Sequence, residues 1–148
     1  MLDGLFVAPA VTSIVEALGE LEGPIAVIGD AKIAQALAAK RTVIAVGITG
    51  RAAKKLPKPL ADTALADLSI IDPASLAAVV GNDITDDDTW AVTLRSWTRA
   101  VRDGGSIVLI DKGHAAEASR RALCAGLTEL EQRHAGRAVI TSGLVTHL

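Results

Sequence analysis

Four short runs of the chain are almost wholly apolar and are bounded by Gly, Pro or Asp: Ile25 to Ile28, Thr42 to Val46, Leu76 to Val80 and Ser106 to Asp111. Runs of this length and composition read as strands buried on both faces of a sheet. Between the first two, Ala31 to Ala39 sets Ile33, Ala34 and Leu37 on one stripe. Asp30 stands at the N-cap of that segment, and Lys40-Arg41 sits where the helix dipole favours cations. A strand, a helix of this length and a second strand predict parallel pairing with a right-handed crossover, hence an α/β fold.

The rest of the pattern extends this unit on both sides. Val11, Ile14, Val15 and Leu18 follow helical spacing from Pro9 to Glu20, so residues 1–23 read as a helical lead-in ended by Gly19 and Gly23. Gly50 to Pro59 is a short basic helical turn broken by Pro57 and Pro59, and Ala64 to Ile70 alternates as a strand does. Asp72-Pro73-Ala74-Ser75 is a turn. Asp86-Asp87-Asp88 precedes a helix carrying Trp90, Val92, Leu94, Trp97 and Val101, with Arg95, Arg99 and Arg102 expected in water and a stop at Asp103-Gly104-Gly105. A further helix spans Gly113 to Ala125. Leu127 to Arg133 and Arg137 to Ser142 are then close enough in sequence to pair antiparallel across His134-Ala135-Gly136. No repeat or linker divides the chain, so residues 1–148 are expected to form one domain.

Composition narrows the function. With 148 residues, 50% hydrophobic and 22% charged, the chain is long enough to bury roughly 70% of its unfolded surface without a staple. A net charge of −2 gives no general attraction for a phosphate backbone, and three aromatic residues are too few for a base-stacking platform; no nucleic-acid partner is expected. Cys124 is the sole cysteine and lies in an apolar run, where a buried or half-buried thiol is the simple reading. Asp3 and Glu16 with no basic n-region argue against a secretory signal, and no run approaches the roughly 18 apolar residues of a membrane span. The expected setting is the cytoplasm.

Three segments together carry a family likeness: Asp72 to Asp83, DPASLAAVVGND; Leu94 to Asp111, LRSWTRAVRDGGSIVLID; and Leu123 to Ser142, LCAGLTELEQRHAGRAVITS. In their order and spacing, the chain from about Pro24 onward resembles the class I S-adenosylmethionine-dependent methyltransferases. The resemblance implies a Rossmann-like, mostly parallel seven-stranded sheet with helices on both faces and a C-terminal antiparallel hairpin. It also implies S-adenosylmethionine as cofactor, in a cleft at the carboxyl ends of the first strands.

Matched onto the family's D-x-G-x-G-x-G motif, Val27 takes the acidic position, Gly29 the first glycine, Ala31 the second and Ile33 the third. Gly47 takes the position where the family places an acid on the two ribose hydroxyls, and Ala64 that of the acid reading the adenine amine, with Asp62 and Asp67 as substitutes. The cofactor-side residues are therefore Gly29, Asp30, Ala31 and Gly47. On the acceptor side Asn82, Asp83 and His114 are the candidates, with an acid or imidazole able to position or deprotonate a nucleophile. Each has a plainer role, Asp30 as helix cap, Asn82-Asp83 as turn formers and His114 as an exposed first-turn residue. Consecutive acids at 86–88 cannot all face one ion, so no metal site is expected.

With so few of the motif residues retained, the expectation is a methyltransferase-fold protein without catalysis, a regulatory or partner-binding subunit whose partner is another protein or a second copy. The alternative is an active methyltransferase on a small molecule or protein with an atypical cofactor pocket. A nicotinamide-binding reading fails because the G-x-G-x-x-G fingerprint is missing.

Overall fold

The computed structural model describes residues 2–147, with side chains from Pro9 onward. The chain runs α1 (Leu2–Leu18), β1 (Ile25–Ile28), α2 (Ala31–Ala38), β2 (Val43–Val46), α3 (Gly50–Lys54), α4 (Lys58–Thr63) and β3 (Leu76–Asn82). After a 3-10 turn at Ile84–Asp86 come α5 (Trp90–Ala100), β4 (Val101–Asp111), α6 (Ala115–Cys124), β5 (Thr128–Ala135) and β6 (Ala138–Leu144). The strands form one sheet in the order β2-β1-β3-β4-β6-β5. β2, β1, β3 and β4 are mutually parallel, while β6 runs antiparallel to both β4 and β5.

Alternation along the strands divides the core between the two faces. Ile25, Val27, Ala78, Val80 and Val108 point to one side, against Ile14, Leu18, Ile33 and Leu37 of α1 and α2. Ala26, Val79, Ile107 and Leu109 point to the other, against Leu94, Trp97 and Ala100 of α5 and Ala122 of α6. This is the layout in which strands must be apolar throughout, and it explains why the short runs were so plain in the sequence.

Among the described residues the sheet has six strands, not seven. Ala64 to Ile70 contributes only an isolated parallel bridge, Leu65 to Val46 on the outer edge of β2. Just beyond it the Asp67 carboxylate accepts the Ser69 N–H at 2.7 Å and turns the chain away, so local Asx-turn chemistry prevails over the alternating pattern. Among the described residues Leu65 alone bonds the β2 edge, donating its N–H to Ala45 O and accepting the Gly47 N–H, both at 2.9 Å, while Leu56, just before α4, and Leu60 of α4 are buried in the same cluster as Val43 and Ala45.

Other boundaries shift. The helix expected to reach Val101 ends at Ala100, and Val101 opens β4 opposite Leu76; residues 102–105 form an irregularity held by Gly104 N–H to Val145 O and Val145 N–H to Gly105 O, both 2.8 Å. Arg99 does not face water: its guanidinium donates to the carbonyls of Leu68 and Ile71, each at 3.0 Å. Cys124 is exposed, not buried. Among the described residues, no helix is long and apolar enough to cross a membrane.

Candidate functional site

The chain leaves β1 to build β2 on one side and returns to build β3 on the other. The crevice outside the carboxyl ends of β1 and β3 is thus the topological switch point, where open α/β sheets bind ligands. Gly29 ends β1 with φ +75°, a left-handed conformation that suits glycine, and its N–H donates to Val46 O at 2.8 Å. Across the crevice, Asn82 ends β3, and its Oδ1 lies 3.4 Å from where a Cβ on Gly29 would stand. A larger side chain at 29 would press on Asn82.

Asp30 is the N-cap of α2, its Oδ1 accepting the Ile33 N–H at 3.0 Å, as its sequence position predicts. A cleft of ≈ 580 Å³ opens here, lined by Gly29, Asp30, Ala31, Lys32, Gln35 and Lys55. A larger one, ≈ 890 Å³, lies between α1 and α2 near Gly23 and Thr42, at the amino ends of β1 and β2. That second cleft is remote from the switch point, and the Arg41 guanidinium on its wall is already spent on the carbonyls of Gly19 and Leu21 at 2.7 and 2.9 Å.

Gly47 follows β2 with φ +67°, its N–H donating to Leu65 O at 2.9 Å. It stands beside the 64–68 segment, not in the wall of the cleft around Gly29: the nearest atom to a Cβ there would be Ala66 O at 3.6 Å. The Asp67 carboxyl is held below its ordinary value by the hydroxyl and N–H of Ser69.

The acceptor-side candidates lie on the same rim. Asp83 is exposed, left-handed at φ +59°, and its N–H donates to Ile110 O at 2.8 Å. His114 is exposed, also left-handed at φ +57°, at the N-cap of α6 without a side-chain capping bond. The structure thus brings Gly29, Asp30, Ala31 and Asn82 around one crevice, sets Asp83 and His114 along its β3–β4 side, and leaves Gly47 on the β2 side.

One residue at this rim was not singled out from the sequence. Asp111, the last residue of β4, is 0% exposed. Its Oδ1 accepts both the N–H and the hydroxyl of Thr85, at 3.0 and 2.9 Å, and its buried Oδ2 has no hydrogen-bond partner among the described residues. Burial pushes this carboxyl above the ordinary aspartate range; the Thr85 bonds oppose that, and the negative charges of Asp83 and Asp86 add to it. Asp111 therefore ties the loop after β3 to the end of β4. The only sequence signal was an acid closing an apolar run.

The acids at 86–88 serve the start of α5, as their position suggests. Asp87 Oδ1 accepts the N–H and hydroxyl of Thr89 at 2.7 and 2.8 Å, and its Oδ2 accepts the Thr93 hydroxyl at 2.7 Å. Arg121 of α6 donates to the carbonyls of Ile84 and Asp87, and both Arg120 and Arg121 stand over the Trp90 ring at 5.5 and 5.2 Å. The loop after β3 is consequently fixed from two sides.

Strand order, the switch-point crevice and the closing antiparallel hairpin define the fold as that of the class I S-adenosylmethionine-dependent methyltransferases. No family model and no curated protein matches the sequence. Solved structures do match in three dimensions. An S-adenosylmethionine-dependent methyltransferase from Thermotoga maritima is similar with a TM-score of 0.72 and 13% identity, over 95% of this chain and 89% of that one. Geranyl diphosphate C-methyltransferase from Streptomyces coelicolor, solved with Mg2+, geranyl diphosphate and S-adenosyl-L-homocysteine, is similar with a TM-score of 0.71 and 11% identity, over 94% and 80%. A protein assigned as a methyltransferase, in complex with the Haloferax volcanii methyltransferase activator Trm112, is similar with a TM-score of 0.69 and 13% identity, over 98% and 93%. At these identities the likeness is one of fold.

Proposed function

We propose that the chain is a single methyltransferase-like domain, 1–148, that works as a regulatory or partner-binding subunit rather than as a catalyst, in the cytoplasm. The observation that carries this reading is Gly47. At the end of β2, where the related enzymes place an acid for the ribose hydroxyls, there is no side chain, and the backbone N–H is spent on Leu65. A hydrogen bond to a charged group is worth about 1.5–3 kcal/mol, so losing two of them removes much of the affinity for an adenosyl cofactor. At β1, Val27 replaces the acid of the motif and the Asp30 Oδ1 is engaged in capping α2. A protein of this fold in complex with the activator Trm112 supports the view that the scaffold accepts a protein partner.

A second reading, an active methyltransferase with an atypical pocket, is favoured by the cleft of ≈ 580 Å³ that remains open beside Gly29. In it Asn82, Asp83 and His114 would face the acceptor, and rate would come chiefly from in-line positioning. Titration calorimetry and thermal shift with S-adenosylmethionine and S-adenosyl-L-homocysteine decide between the two. The first reading expects no saturable response up to millimolar ligand. A saturable stabilisation at micromolar ligand overturns it in favour of the second, because linkage stabilisation requires affinity for the folded state.

A further inference from the structure

The switch-point crevice lies between two short segments of opposite charge. On the β2 side, residues 51–58 carry Arg51, Lys54, Lys55 and Lys58, all exposed, with no acid among them. On the β3 side, residues 83–88 carry Asp83, Asp86, Asp87 and Asp88 with no base. Asp87 is committed to Thr89 and Thr93, which leaves Asp83, Asp86 and Asp88 exposed. Both segments follow the carboxyl ends of parallel strands, and β1 stands between those strands, so they flank the same opening. Among the described residues none of the four cations forms an ion pair.

We propose that the partner surface of this protein is this rim, and that its occupant is a second copy of the same chain. The inference rests on the partner-binding reading above and names the partner. A two-fold axis passing through the opening sets the basic segment of each copy against the acidic segment of the other, so both are matched twice in one closed, isologous interface. A polycation or a polyanion complements only one segment and is repelled by the other. The arrangement also covers the mouth of β1 in both copies, which links assembly to access to the crevice.

Sedimentation velocity on the full chain tests this at about 0.1 M and about 1 M salt, between which the screening length falls from about 10 Å to about 3 Å. The wild type is expected to dimerise at low salt, with its dissociation constant raised about tenfold or more at high salt. Lys54→Glu with Lys55→Glu, and separately Asp86→Lys with Asp88→Lys, are each expected to give folded monomers by circular dichroism. An equimolar mixture of the two variants regains a dimer, because the reversed segments are again complementary. A wild type that stays monomeric at low salt overturns the proposal, as does a dimer indifferent to salt or a mixture that fails to associate. Cofactor titration is read on the charge-reversed variants, whose crevice is uncovered, so a wild type that stays monomeric while those variants ignore S-adenosyl-L-homocysteine refutes the self-association alone.

Discussion

Under the proposed function, Gly47→Asp supplies a carboxylate at the position matched to the methyltransferases' ribose-binding acid, and its costs and gains fall on different observables. Gly47 has φ +67°, so any side chain there carries strain of about 1–2 kcal/mol, with Asp among the residues that tolerate it best. Space is not the obstacle, since the nearest atom to the new Cβ is Ala66 O at 3.6 Å. Strain is present with and without ligand and lowers stability, at about 2–4 °C of melting temperature per kcal/mol for a chain of this size. The gain appears only on binding: two charge-assisted hydrogen bonds of about 1.5–3 kcal/mol each, reduced by desolvation of the new carboxylate. Allowing for only one bond's worth, S-adenosyl-L-homocysteine should bind at least about tenfold more tightly to Gly47→Asp than to the wild type. Gly47→Ala is the control, with a similar loss of melting temperature and no gain in affinity. Isothermal titration of the three proteins measures both quantities. If Gly47→Asp folds and binds no better than Gly47→Ala, the reading of Gly47 as a missing ribose acid is refuted.

Two other substitutions probe the frame of the crevice. A Cβ at Gly81 would lie 2.6 and 2.9 Å from Cζ3 and Cζ2 of the buried Trp97 indole, so Gly81→Ala should cost about 1–3 kcal/mol, lowering the melting temperature by roughly 2–12 °C. Combined with Trp97→Leu, the total loss should fall short of the sum of the single losses; additivity would show that the indole is not the obstacle. The carboxyl of Asp111 is raised in the folded state, so its contribution to stability is whole below the unfolded value near 3.9 and is lost as pH rises through the folded value. The difference in unfolding free energy between wild type and Asp111→Asn should therefore move against the wild type as pH rises from about 4, and a difference flat in pH refutes the assignment.

The parts of the fold legible in the sequence are those whose pattern is set by burial on both faces. Ile25 to Ile28 and Ser106 to Ile110 have no polar alternative, and the hairpin from Thr128 to Leu144 follows from the short connection at Gly136. What failed was decided by local polar chemistry or by distant contacts. Leu65 and Leu68 look like part of a strand until Asp67 is seen to take the Ser69 N–H, and Arg99 looks like a solvent cation until the 68–71 turn supplies its acceptors. At the site, the capping role of Asp30 was readable from its place before Ala31. The burial of Asp111 was not, because its cover is Thr85, 26 residues earlier in the chain.

The packing of the 56–63 segment beside β2 has a consequence for solution behaviour. An uncovered β2 would offer Val43 to Ala45 as an apolar template for another chain. Leu56 and Leu60 pack against it, and Pro57 and Pro59, both between them, cannot donate the backbone hydrogen bonds that an added strand needs. Residues 56 to 60 thus act as a guard on the sheet. Loosening them would expose the β2 edge to pairing with another chain.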